Sequence, residues 1–113
     1  MVIDGKTYTR KGSKKIASYW NGVPFLDFYY ESYELRKMTA TGYFYLVAHG
    51  GPHTRFSRSK KGFDCPFSGK MYIPLSAEDA EMWKKDPESV ETRYRIAKII
   101  SAYENSGINL HLK

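Results

Sequence analysis

The feature that most constrains this chain is a change of periodicity at Leu75. Before it, short aromatic and β-branched runs are cut by turn dipeptides, the pattern of strands joined by hairpins. After it, apolar residues recur every three or four positions between capping signals, which is the pattern of helices. This order predicts an α+β fold: a twisted antiparallel β-sheet of about five strands followed by two C-terminal helices. A chain of 113 residues is the size of one domain, so residues 1–113 are read as a single domain, with a strand-rich half (1–75) and a helical part (76–106).

Within the first half, Asp4-Gly5 marks a hairpin over Val2–Thr9, because both central residues of a type I′ turn need positive φ. Asn21-Gly22 marks a second, predicted to join Ile16–Trp20 to a strand over Val23–Tyr30, with Pro24 at its start. Tyr33–Met38 is a further predicted strand, closed by a turn over Thr39–Gly42. Tyr43–Ala48 reads as a central strand, apolar on both faces. Pairing is expected to resume at His53–Ser57, a polar loop to fill Ser57–Gly69, and Met71–Pro74 to form a last short strand.

Ser76 with Asp79 resembles a capping box, and the acids at 78, 79 and 81 suit the positive end of a helix dipole. Ala80 and Trp83 are expected to face inward. Asp86-Pro87 is read as the end of that helix and the start of the next, with Asp86 as N-cap and Pro87 in the first helical position. Ile96, Ile99, Ile100 and Tyr103 form one apolar stripe, Glu91 and Arg95 stand four apart on an outer face, and Gly107 stops the helix.

Charge is unevenly placed. Residues 1–75 hold twelve Lys/Arg against five Asp/Glu, whereas residues 76–113 hold six against seven. The strand-rich half therefore carries the whole +6 excess, a bias that favours polyanions or acidic protein surfaces and also suits plain solubility. It falls in two clusters, Arg10, Lys11, Lys14, Lys15 and Arg55, Arg58, Lys60, Lys61, with Phe56 and Phe63 interleaving the second and Tyr8 and Tyr19 bordering the first. Cations that neutralise phosphates beside rings that stack on bases make nucleic acid a candidate partner, although no helix-turn-helix, zinc finger or RRM signature is present. The tyrosine run of Tyr29, Tyr30, Tyr33, Tyr43 and Tyr45 alternates poorly, so some rings must face outward, and Tyr29, Tyr30 and Tyr33 are the candidate protein-binding aromatics.

Catalytic and metal readings are thinner. His49 and His53 flank Gly50-Gly51-Pro52, and Asp64-Cys65 follows, but the spacing matches no standard zinc site. His49-Gly50-Gly51 lacks the nucleophile turn that an oxyanion-hole loop serves, and no phosphate-binding glycine loop occurs. A small nuclease would have to combine His49 or His53 with Asp27, Glu31, Glu34 or Asp64. No catalytic residue, metal or cofactor is therefore expected. One cysteine, Cys65, and a turn within the first five residues are read as a cytoplasmic protein, and no apolar run reaches membrane-spanning length.

The ordered set Trp20-Asn21-Gly22, Asp27-Phe28, Tyr43-Phe44, Gly50-Gly51, Thr54-Arg55 and Ile73-Pro74-Leu75-Ser76 with Ala80 and Trp83 resembles a largely uncharacterised family of small proteins from Gram-positive bacteria and their mobile elements and phages. The resemblance covers roughly residues 1–85. It carries no established activity, but small proteins of mobile elements include inhibitors of host defence, anti-CRISPR proteins among them. Relatives tend to have an acidic residue where His49 stands and to end soon after the tryptophan-bearing helix. Three readings follow in order: a non-catalytic binder of a protein or nucleoprotein complex, a direct nucleic-acid binder using the two basic loops, and a small nuclease.

Overall fold

The computed structural model describes residues 1–112. A two-stranded hairpin of β1 (Val2–Ile3) and β2 (Lys6–Thr7) precedes a four-stranded antiparallel sheet in the order β3 (Ser13–Trp20), β4 (Glu31–Met38), β5 (Phe44–Gly50), β6 (Gly69–Leu75). Helices α1 (Ala77–Lys85) and α2 (Val90–Asn105) follow, so the α+β class and the strand-then-helix order are as read from the sequence. The first turn is as expected too, with positive φ at both Asp4 and Gly5.

One apolar cluster fills the space between sheet and helices. Register lines Leu35, Leu46 and Ile73 across one face, flanked by Ala48 and Met71. Trp83 of α1 lies against Tyr33 of this face at 6.2 Å between ring centroids. From α2, Ile96 and Ile100 are buried while Ile99 and Tyr103 are half-buried, each fully buried aliphatic side chain being worth about 1.5–3 kcal/mol. The other face carries Glu34, Arg36, Tyr45, Val47, His49 and Tyr72. There the buried Arg36 guanidinium donates to Ser13 Oγ at 2.8 Å, to the carbonyls of Ser13 and Arg10, and to Glu34. Ser13 Oγ also meets the Tyr45 hydroxyl, so every member of this polar network has a partner.

Three expectations are corrected. Val23–Tyr30 is not a strand: β3 pairs with β4, and residues 21–30 form the loop between them. The Asn21 side chain accepts from Val23 N and donates to the Tyr29 carbonyl, and Asp27 Oδ1 accepts from Tyr29 N. Backbone turns from Asp27 N to Pro24 O and from Tyr30 N to Asp27 O use up groups that a strand would have paired. His53–Ser57 likewise forms turns, with pairing limited to a bridge between Arg58 and Phe67. Asp86 is the C-cap of α1, and α2 is capped by Ser89, whose hydroxyl oxygen accepts from Thr92 N at 3.1 Å. Glu91 and Arg95 are both exposed on α2 as expected, and Arg95 binds Asp79 of α1 through two nitrogens at 3.0 and 3.3 Å, tying the helices together.

Beyond Gly107, which takes positive φ as a helix stop, the chain returns to the sheet. Leu110 is buried, its carbonyl accepts from Tyr72 N, and Leu112 N donates to the Lys70 carbonyl. This segment covers the free edge of β6. The opposite edge strand, β3, is guarded by exposed Lys14 and Lys15 and by a bulge between Lys15 and Ala17.

Candidate partner-binding surface

The loop between β3 and β4 gathers large side chains that the fold leaves outside. Trp20, Phe25, Phe28 and Tyr29 are each more than half exposed, and Leu26 is 90% exposed. For side chains of this size the exposed area carried by this one segment sums to on the order of 600 Å², a large apolar surface for a chain of this length. The loop is not loose. Trp20 Nε1 donates to the Val23 carbonyl at 2.6 Å, Gly51 N to the Tyr30 carbonyl at 2.8 Å, and His53 N to the Phe28 carbonyl at 2.9 Å.

Gly51 explains the Gly50-Gly51 pair. A Cβ there would stand 2.6 Å from the carbonyl oxygens of both Asp27 and Phe28, so only glycine lets the turn after β5 lie flat on the loop's backbone. Both histidines serve the same packing. His49 on β5 meets Phe25 and Tyr30 at 5.5 Å in edge-to-face contacts, and His53 lies 4.8 Å from Phe28 and 5.5 Å from Tyr29. Burial, reinforced by the charge of Lys70, holds the His49 imidazole below its ordinary value.

Behind His53 opens a cleft of about 280 Å³ between the loops and the α1–α2 corner. Arg55 and Arg93 line it with Glu31, and Tyr33, Phe56 and Trp83 are among its walls. The Glu31 carboxylate accepts from the Tyr33 hydroxyl. Burial first, and then that hydrogen bond, push the Tyr33 phenol well above its ordinary value. Neighbouring Tyr19 donates to Glu88 in the same way, which with partial burial raises it to about 12. Among the described residues, neither the Arg55 nor the Arg93 side chain makes a salt bridge or a hydrogen bond.

The basic residues of the two clusters are not brought together. Register joins Ser13 to Met38 at one end of the sheet and Glu31 to Gly50 and Gly69 at the other. Strand length and spacing then place the clusters at opposite corners, about 25 Å apart. Several of these cations are engaged: Arg10 with Glu34 at 3.1 Å, Arg58 with the Leu112 carbonyl at 2.9 Å, and Lys60 over the Phe67 ring at 4.5 Å. Lys11, Lys14, Lys15 and Lys61 are exposed. Of the three tyrosines, Tyr29 is exposed, Tyr30 is half-buried beside Phe25, and Tyr33 faces the helices between Phe56 and Trp83. Cys65 is an exposed free thiol, and among the described residues no three His, Cys, Asp or Glu side chains are grouped as metal ligands would be. No described helix is long and apolar enough to cross a membrane.

Phe25, Leu26 and Phe28 are not legible as surface residues while Val23–Tyr30 reads as a strand, and Trp20, correctly placed at the end of a strand, carries no local sign of its exposure. A signal was present, since Asn21, Gly22, Pro24 and Asp27 put four turn-forming residues into seven. Nothing in the sequence singled out Arg93. No protein-family model matches the chain, and comparison with curated proteins and with solved structures finds no match.

Proposed function

We propose that this chain is a non-catalytic binding protein that docks onto a protein partner through the aromatic loop 21–30 and Trp20. The observation that carries this reading is the exposed apolar area on a loop whose backbone is held at both ends and in the middle by hydrogen bonds. Rigid aromatic anchors lose little entropy on docking, which is why such residues dominate interface hot spots. The target we favour is the protein part of a nucleoprotein complex, as for mobile-element inhibitors of host defence such as anti-CRISPR proteins. The chain's resemblance to small mobile-element proteins and the basic excess of its strand-rich half support that choice.

Direct nucleic-acid binding is the second reading, favoured by the exposed Lys11, Lys14, Lys15 and Lys61. A single phosphate track would have to span both corners of the sheet, which speaks against it as the main role. Capture of tagged protein from bacterial lysate with added nuclease separates the two. A partner held by wild type and by Lys14→Glu/Lys15→Glu, but lost with Leu26→Asp, is the expected result. Loss with the lysine reversal or with nuclease alone, and retention by Leu26→Asp, would sink the docking reading.

A further inference from the structure

We infer that the cleft between Arg55 and Arg93 is a receptor for one carboxylate, the side chain of an aspartate or glutamate on the docked partner. The partner's part in this rests on the loop reading above; the cleft's preference for a carboxylate stands apart from it. Three observations carry the inference. Arg55 and Arg93 line the same cavity, and neither side chain forms a salt bridge with a carboxylate among the described residues. The one acid in the lining, Glu31, accepts from the Tyr33 hydroxyl and forms no salt bridge with either arginine, so it offsets one of their two charges without occupying a guanidinium. His53 forms part of the cleft wall while its ring packs on Phe28 and Tyr29, so the cleft opens beside the docking loop.

Charge and shape select the ligand. Two guanidiniums and one carboxylate leave a single positive charge to match, which suits a monoanion better than a phosphate dianion. A guanidinium fork meets a planar carboxylate through two parallel hydrogen bonds. A cavity of about 280 Å³ admits one side chain. A phosphodiester would have to bring a sugar in on each side, which the ring walls of Tyr33, Phe56 and Trp83 oppose.

The test needs no partner. The full chain, labelled with ¹⁵N, is titrated by NMR with N-acetyl-glutamate amide, N-acetyl-glutamine amide and inorganic phosphate at matched ionic strength. Saturable movement of the Arg55 and Arg93 Nε–Hε signals with the glutamate probe alone is expected. Arg55→Gln or Arg93→Gln, both at exposed positions, should weaken that binding about tenfold while the backbone spectrum stays native. No saturable movement, equal movement with the glutamine probe, or tighter binding of phosphate each overturns the inference. Because the titration contains no partner, its failure leaves the lysate capture by the aromatic loop to stand or fall on Leu26→Asp.

Discussion

Replacing Gly51 with alanine asks whether the aromatic loop is held by close backbone approach. The new Cβ would sit 2.6 Å from the Asp27 and Phe28 carbonyl oxygens and 2.9 Å from the Phe28 carbonyl carbon, where ordinary contact begins at 3.4 Å. All three are backbone atoms, so relief requires the loop to move by about 0.8 Å, and overpacking of that kind costs about 1–3 kcal/mol. Movement also stretches the bonds from Gly51 N to Tyr30 and from His53 N to Phe28, each worth about 1 kcal/mol. The sum, about 3–5 kcal/mol, corresponds to a fall in Tm on the order of 15 °C for a domain of this size. Calorimetry reads the fall, and limited chymotrypsin digestion reads the loop, whose Phe25, Leu26, Phe28 and Tyr29 are exposed cleavage sites once the backbone can open. Ser59→Ala, at an exposed position, is the control. A Gly51→Ala protein with wild-type Tm and wild-type cleavage would refute the reasoning.

Further outcomes test other parts of the fold. Arg36→Met removes the donor that Ser13, Arg10 and Glu34 share; a loss of about 3 kcal/mol is expected in urea denaturation, and an unchanged midpoint would remove the network from the account. Ser89→Ala should cost about 1 kcal/mol as the cap of α2, whereas Asp86→Ala should leave α2 helicity by circular dichroism intact if Ser89 is the true cap. The pH dependence has a fixed sign. His49 titrates below 6.5 in the folded chain, so the unfolded chain takes up the proton first, and stability from this residue is complete above 6.5 and declines as pH falls until the folded value is passed. Urea midpoints should therefore drop as pH falls below about 6.5, and drop less in His49→Gln; identical slopes would contradict the burial of His49.

Much of the architecture was legible because local rules and tertiary packing agree there. Asp4-Gly5 turns as its φ requirement dictates, Ser76 caps α1 through Asp79 N, and Ala80, Trp83, Ile96 and Ile100 are buried. The misreadings fall where side chains compete for the backbone. Asn21 and Asp27 capture amides and carbonyls that a strand over Val23–Tyr30 would have needed. The Asp86 carboxylate does accept from Glu88 N as a cap would, but the turn it opens closes at Ser89, whose N donates to the Asp86 carbonyl, and α2 starts only at Val90 with Ser89 as its cap. The candidate surface was legible only in part. Tyr29 was singled out from the tyrosine run, but the exposure of Leu26 follows from how its loop packs on the turn at Gly51 and His53, and Arg55 and Arg93 reach one cleft from a loop and a helix far apart in sequence, which no local pattern encodes. The absence of a strand over 23–30 also leaves four strands in the main sheet, with the segment around Leu110 taking the place beside β6.

The central claim, that the β3–β4 loop is the docking surface, is read most directly from the two tryptophans. Trp83 is 2% exposed and Trp20 is 56% exposed, so acrylamide quenching of the wild-type protein reports Trp20 almost alone. Adding the nuclease-treated partner fraction should remove most of the quenchable emission, and the Leu26→Asp protein should show no such protection. Quenching of Trp20 that is unchanged by a fraction the wild-type chain demonstrably binds would place the interface elsewhere and contradict the account.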